Sequence, residues 1–153
     1  MKHRNAIVFL LVTMLIFLST SGFAKWTEKK EKDPKTGKPA VIIVSPEGKA
    51  NPNKSLPNLT ASLVISTVGS SENVYIRFGI ALPFVIKEIP TQIKIVQPGK
   101  KNQKVVDVKL VNYNGYWYVV DGHKFSKDLK NASSVELILN FGMFSVTVNI
   151  PIN

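Results

Sequence analysis

"VVDVKLVNYNGYWYVV", Val105 to Val120, is two strand-like runs joined by Asn114-Gly115. Asn-Gly suits both central positions of a type I′ turn, whose twist matches that of paired strands, so the stretch reads as a two-residue hairpin. The turn sets the register, with Tyr113 opposite Tyr116, Val111 opposite Tyr118 and Leu110 opposite Val119. Alternation then separates two faces. One carries Val108, Leu110, Trp117 and Val119 and is the expected core side. The other carries Val111, Tyr113, Tyr116, Tyr118 and Val120, and is expected to cover a neighbouring sheet edge or to stay partly exposed.

The same two-residue period runs outward in both directions. Ala40 to Ser45 is a β-branched run, and Ala61 to Thr67 alternates Ala61, Leu63, Ile65 and Thr67 against Ser62, Val64 and Ser66. Asn73 to Phe78 resumes the pattern with Val74, Ile76 and Phe78, so these last two segments are expected to pair antiparallel. "GIALPFVIKEIP", from Gly79, stays apolar but contains Pro83, which suits an edge or a strand beginning. Gln92 to Gln97 alternates again before the turn "PGKKNQK". Downstream, "HKFSKDLKNASS" is the one helical candidate, over 126–131, with Ser126 as its cap, Phe125 and Leu129 pointing inward and Asn131 ending it. Ser134 to Asn140 and Met143 to Ile150 form a second hairpin around Phe141-Gly142, with Val135, Leu137, Leu139, Val146, Val148 and Ile150 inward. Eight or nine short strands with almost no helix indicate an all-β fold, an antiparallel β-sandwich first and a small β-barrel second.

The ends of the chain differ from this body. Lys2 and Arg4 precede an apolar run from Ala6 to Leu18, and Gly22 and Ala24 supply the small residues that an export peptidase reads, so residues 1–24 are expected to be a cleaved signal peptide. Thirteen residues span only roughly 20 Å as a helix against a ~30 Å hydrocarbon core, which makes a retained membrane anchor the weaker alternative. Lys25 to Pro39, "KWTEKKEKDPKTGKP", holds six lysines and little to bury. It is expected to be a basic exposed arm, with Trp26 anchoring its start and "DPKTGK" forming a tight turn. Residues 40–153 then make one domain.

Of the 20 basic residues, Lys2 and Arg4 fall in the leader, leaving 18 against 10 acidic ones and a net charge of +8. Arg77 is the single arginine beyond the leader. Lysine gives a hydrated point charge rather than a planar bidentate fork, so the excess reads as attraction to anionic surfaces or as solubility, not as nucleic-acid recognition. The chain contains no cysteine, which excludes disulfides, thiolate metal sites and a thiol nucleophile.

Catalytic patterns are equally sparse. His123, beside Asp121, is the one histidine outside the leader, and no G-x-S-x-G elbow accompanies it. One histidine with scattered carboxylates makes no zinc site, and no calcium loop or glycine-rich phosphate cradle is present. We therefore assign no catalytic residue, no metal site and no cofactor. Glu72, Glu88, Asp107, Asp121, Asp128 and Glu136 could meet in space as the paired carboxylates of a glycan or cell-wall hydrolase. The remaining candidate is a contact face of Tyr113, Tyr116 and Tyr118, whose flat rings and polar tips suit carbohydrate stacking or protein contact.

The succession of a signal peptide, Trp26, "DPKTGK", "LVIS", "VYIRF", "QIKIV", "YWYV" and "FSKDLKNASSVELIL" closing on "VTVNI" resembles two groups of small exported bacterial β-sandwich proteins. These are the invasion-associated locus B type and the periplasmic accessory proteins of type VI secretion loci. The resemblance implies an envelope protein without enzymatic chemistry, although those families commonly carry cysteines. The leading expectation is thus a non-enzymatic protein of the periplasm or cell exterior. It would bind a protein partner or an anionic or glycan surface, with no nucleic acid and no permanent membrane span after cleavage. The alternatives are the two-carboxylate hydrolase and a structural or adhesive subunit assembling through a strand edge.

Overall fold

A computed structural model describes residues 26–152, and the expected signal peptide lies outside the described residues. The alternating segments become ten strands: β1 (Thr27–Lys32), β2 (Pro39–Val44), β3 (Gly48–Ala50), β4 (Thr60–Val68), β5 (Ser71–Phe78), β6 (Glu88–Val96), β7 (Gln103–Tyr113), β8 (Tyr116–Val119), β9 (Ser134–Asn140) and β10 (Ser145–Pro151). A 3₁₀ turn at Gly122–Phe125 leads into the one α-helix among the described residues, α1 (Ser126–Lys130).

All pairings are antiparallel, and the strand order is β1-β2-β4-β3-β10-β9-β6-β7-β8-β5, with β5 pairing back onto β4. The eight strands from β4 round to β5 therefore close into a barrel, and β2 with β1 extends from the edge of β4 beyond β3. The all-β expectation holds. Of the two architectures weighed, the closed barrel describes the pairing, because one continuous sheet takes the place of two stacked ones. The reason is β5: its residues Tyr75–Arg77 pair with β8 while its whole length pairs with β4, which leaves no seam.

The barrel interior is filled. Leu63 and Ile65 of β4, Ile76 of β5, Ile93 and Ile95 of β6, Leu110 of β7, Leu137 of β9 and Val148 of β10 are all fully buried in one cluster. An eight-stranded barrel is just wide enough for side chains to fill it, so the centre is a core. Phe125, Leu129 and Ala132, around α1, close one end of that core. Gly122 makes this closure possible: a Cβ there would lie 2.7 Å from Val74 Cβ.

The hairpin of β7 and β8 has the expected register, with Leu110 opposite Val119, Val111 opposite Tyr118 and Tyr113 opposite Tyr116. Asn114 and Gly115 have φ of 51° and 86°, as a type I′ turn needs. Several expectations are corrected. The arm, described from residue 26, is mostly exposed apart from buried Asp33 and is regular, because its residues Thr27–Lys32 pair along the whole of β2. Ala50 and Lys49 form a short strand inside the expected loop, held between β10 and β4. Residues 79–87 are a loop, not a strand, and Met143 lies in a turn rather than in β10. Ser126 does not cap α1; its hydroxyl is spent on Glu72 and on the His123 carbonyl.

Candidate functional site

The tyrosine face forms as alternation requires, on the outer wall of the barrel at β7 and β8. Tyr113, Tyr116 and Tyr118 are all half-buried. What buries them was not foreseen. Tyr75 of β5 sits between Tyr116 and Tyr118, with ring centroids at 6.1 and 5.6 Å, and Tyr113 meets Tyr118 edge to face at 6.0 Å. Together with Ala40, Ile42 and Val44 of β2 and Val64 of β4, Tyr75 makes a second apolar cluster outside the barrel.

The turn between β1 and β2 folds over this cluster. Asp33 is only 1% exposed. Its carboxylate accepts hydrogen bonds from the Tyr75 hydroxyl at 2.8 Å, from Asn73 Nδ2 at 3.2 Å and from the Thr36 backbone N–H at 2.8 Å. Burial pushes the carboxyl up. Hydrogen bonding outweighs it and holds Asp33 at about 2, from Thr36, Tyr75, Asn73 and the Ser66 hydroxyl, which lies close by but outside good hydrogen-bond geometry. The reverse follows for Tyr75, whose hydroxyl is pushed well above its ordinary range by burial and by the Asp33 charge. Lys35 completes the lid, its Nζ 4.0 Å from the centroid of the Tyr118 ring. Tyr116 and Tyr118 are therefore as much the wall of a small core as a surface, and Tyr113 stands at its margin against Tyr118. The turn "DPKTGK" was legible as a turn, but nothing local in the sequence pairs Asp33 with Tyr75, 42 residues away.

The six candidate acids each have a different partner. Glu72 accepts from Lys130 and, at 2.6 Å, from Ser126 Oγ; burial pushes its carboxyl up, but those two groups prevail and lower it. Glu88 pairs with Lys109, Asp121 with Lys124, Asp128 with Lys104, and Glu136 with Lys94. Asp107 accepts from Gln92 Nε2 at 3.0 Å. Asp121 thus turns to Lys124, and His123 lines a polar cleft with Thr67, Glu72 and Asn73. Among the described residues no group of three His, Asp or Glu side chains could hold a metal ion. Among the same residues no helix is long and apolar enough to cross a membrane.

One feature of the surface escaped the alternation argument because it lies in turns. Phe84 is 92% exposed, Val85 68% and Met143 98%. No protein-family model, curated protein or solved structure matches this chain.

Proposed function

We propose that this is a non-enzymatic exported envelope protein, periplasmic or extracellular, that acts by contact with a protein partner or with an anionic or glycan surface. The observation that carries the reading is the separation of its ionisable groups. Each of the six acids that could have formed a hydrolytic pair is engaged by its own lysine or amide, in a barrel whose interior is packed. The half-buried rings of Tyr113, Tyr116 and Tyr118 supply one contact face. The resemblance to invasion-associated locus B and type VI accessory proteins supports the same compartment and the same absence of chemistry.

Residues 26–152 close the barrel among themselves, so a chain beginning at Lys25 is a suitable test protein. It is sedimented with isolated cell envelopes and, separately, with purified wall glycan, and the supernatant is assayed for released sugar. The expected result is pelleting without release. Sugar release abolished by Glu72→Gln or Glu136→Gln would establish the hydrolase instead, and a chain left in both supernatants would end the contact reading.

A further inference from the structure

The strand ends gather four connections at one rim of the barrel. The registers Ala61 to Phe78, Glu88 to Val111, Tyr113 to Tyr116 and Asn140 to Ser145 place residues 51–59, 79–87, 114–115 and 141–144 together. Two of these are tight turns with unusual tips. The Ile86 N–H donates to the Pro83 carbonyl at 3.0 Å, which puts Phe84 and Val85 at the central positions of a turn. The Phe141 N–H donates to the Phe144 carbonyl at 3.0 Å, so that Gly142 and Met143 occupy the tip of the next. Turn centres are where Gly, Asn, Asp and Ser are favoured, because they tolerate the backbone and face water. Here three of the four central positions carry Phe, Val and Met, and the fourth is Gly142.

These tips are held out, not frayed. Phe141 and Phe144, at the two ends of the second turn, stack 5.3 Å apart, and the Gly142 N–H donates to Asn140 Oδ1 at 2.8 Å. The turns flank a common cleft of about 420 Å³ between Val85–Glu88 and Asn140–Gly142. Charge at the rim leans to the basic side. The four connections contain Lys54 and Lys87 and no acid. The nearest acids are Glu88, which is ion-paired with Lys109, and Glu47, whose Oε1 lies by Gly79. Exposed Arg77 and the half-buried Tyr113 and Tyr116 sit just inboard.

We infer that this rim is a membrane-docking site for an anionic phospholipid surface, with Phe84, Val85 and Met143 entering the headgroup–acyl boundary. The inference rests on the contact reading above and names its surface. Phe84 and Met143 stand at turn tips outside the lining of that cleft, which fits insertion into a fluid interface rather than a peptide held in the cleft. Lys54, Lys87 and Arg77, set against Glu47 and a Glu88 already paired with Lys109, leave the rim net positive, which matches a negative leaflet, and tyrosines one step back match the depth at which aromatic side chains settle.

The test is co-sedimentation of the chain beginning at Lys25 with vesicles of phosphatidylglycerol in phosphatidylcholine, against phosphatidylcholine alone. A Phe84→Ser/Met143→Ser variant is compared with Lys100→Ser/Lys101→Ser at the opposite rim. Because Phe84 and Met143 are almost wholly exposed, the first variant folds as the parent does, which its thermal unfolding verifies. Binding to anionic vesicles, reduced about tenfold or more by the tip changes and little by the opposite-rim changes, is expected. Equal loss in both variants, or no loss at the tips, overturns the site. No vesicle binding with continued pelleting on envelopes overturns the lipid assignment alone and leaves contact with a protein or glycan. Absence from vesicles and envelopes alike removes both readings.

Discussion

Asp33 shows how much one side chain can hold. Its folded carboxyl, at about 2, lies below its ordinary value of 3.8, so the unfolded chain binds the proton more readily. The stabilisation is therefore present above pH 3.8 and is lost as pH falls through about 2. A shift of this size corresponds to about 2 kcal/mol. Urea unfolding between pH 4.5 and 2 should show that loss in the parent, and Asp33→Asn should flatten it. Removing the Tyr75 hydroxyl tests the same link from the other side. Tyr75→Phe leaves a buried carboxylate short of a donor and should cost about 1–3 kcal/mol at neutral pH, read as a lower urea midpoint. A glycine makes a third case. Gly122→Ala forces Val74 or the 3₁₀ turn to move, because the new methyl would meet Val74 at 2.7 Å, and should lower the melting temperature by several degrees.

At the scale of elements, the hairpin of β7 and β8 was legible because turn chemistry and alternation agree there. Asn114 and Gly115 both need positive φ, so replacing the pair by Ala-Ala should destabilise by about 1–2 kcal/mol while leaving β9 and β10 intact. Amide spectra of the variant check both parts. Strand β1 was not legible for the opposite reason. "TEKKEK" has no apolar alternation, and it is extended because Glu28, Lys30 and Lys32 find partners along β2. As the outermost strand of the sheet it presents an unpaired edge, and its dense charge is the usual guard against edge-to-edge association. The chain beginning at Lys25 should accordingly sediment as a monomer at high concentration, and a dimer dissolved by charge-neutral changes in β1 would favour the strand-edge subunit. The exposed tips at Phe84 and Met143 were missed because both segments read as apolar strand continuations. Pro83 and Gly142 gave the signal that they are turns.

At the scale of the molecule, alternation told which residues face inward but not how the sheet ends. Val135, Leu137, Leu139, Val146, Val148 and Ile150 are all buried as the period requires. The closing contacts join Tyr75–Arg77 to Tyr116–Tyr118, some forty residues apart, and no local pattern records them. The same closure sorts the connections to two rims, which is why an apolar-tipped, net-basic rim becomes visible only in three dimensions. Hydrogen exchange of backbone amides, read by mass spectrometry with and without anionic vesicles, tests barrel and rim together. Slow exchange through β4, β5 and β8, faster exchange in β1, and new protection on vesicles confined to 79–87 and 141–144 are expected. Fast, edge-like exchange in β5, or vesicle protection centred on 33–38 and 97–102, would contradict the closed barrel or the docking rim, respectively.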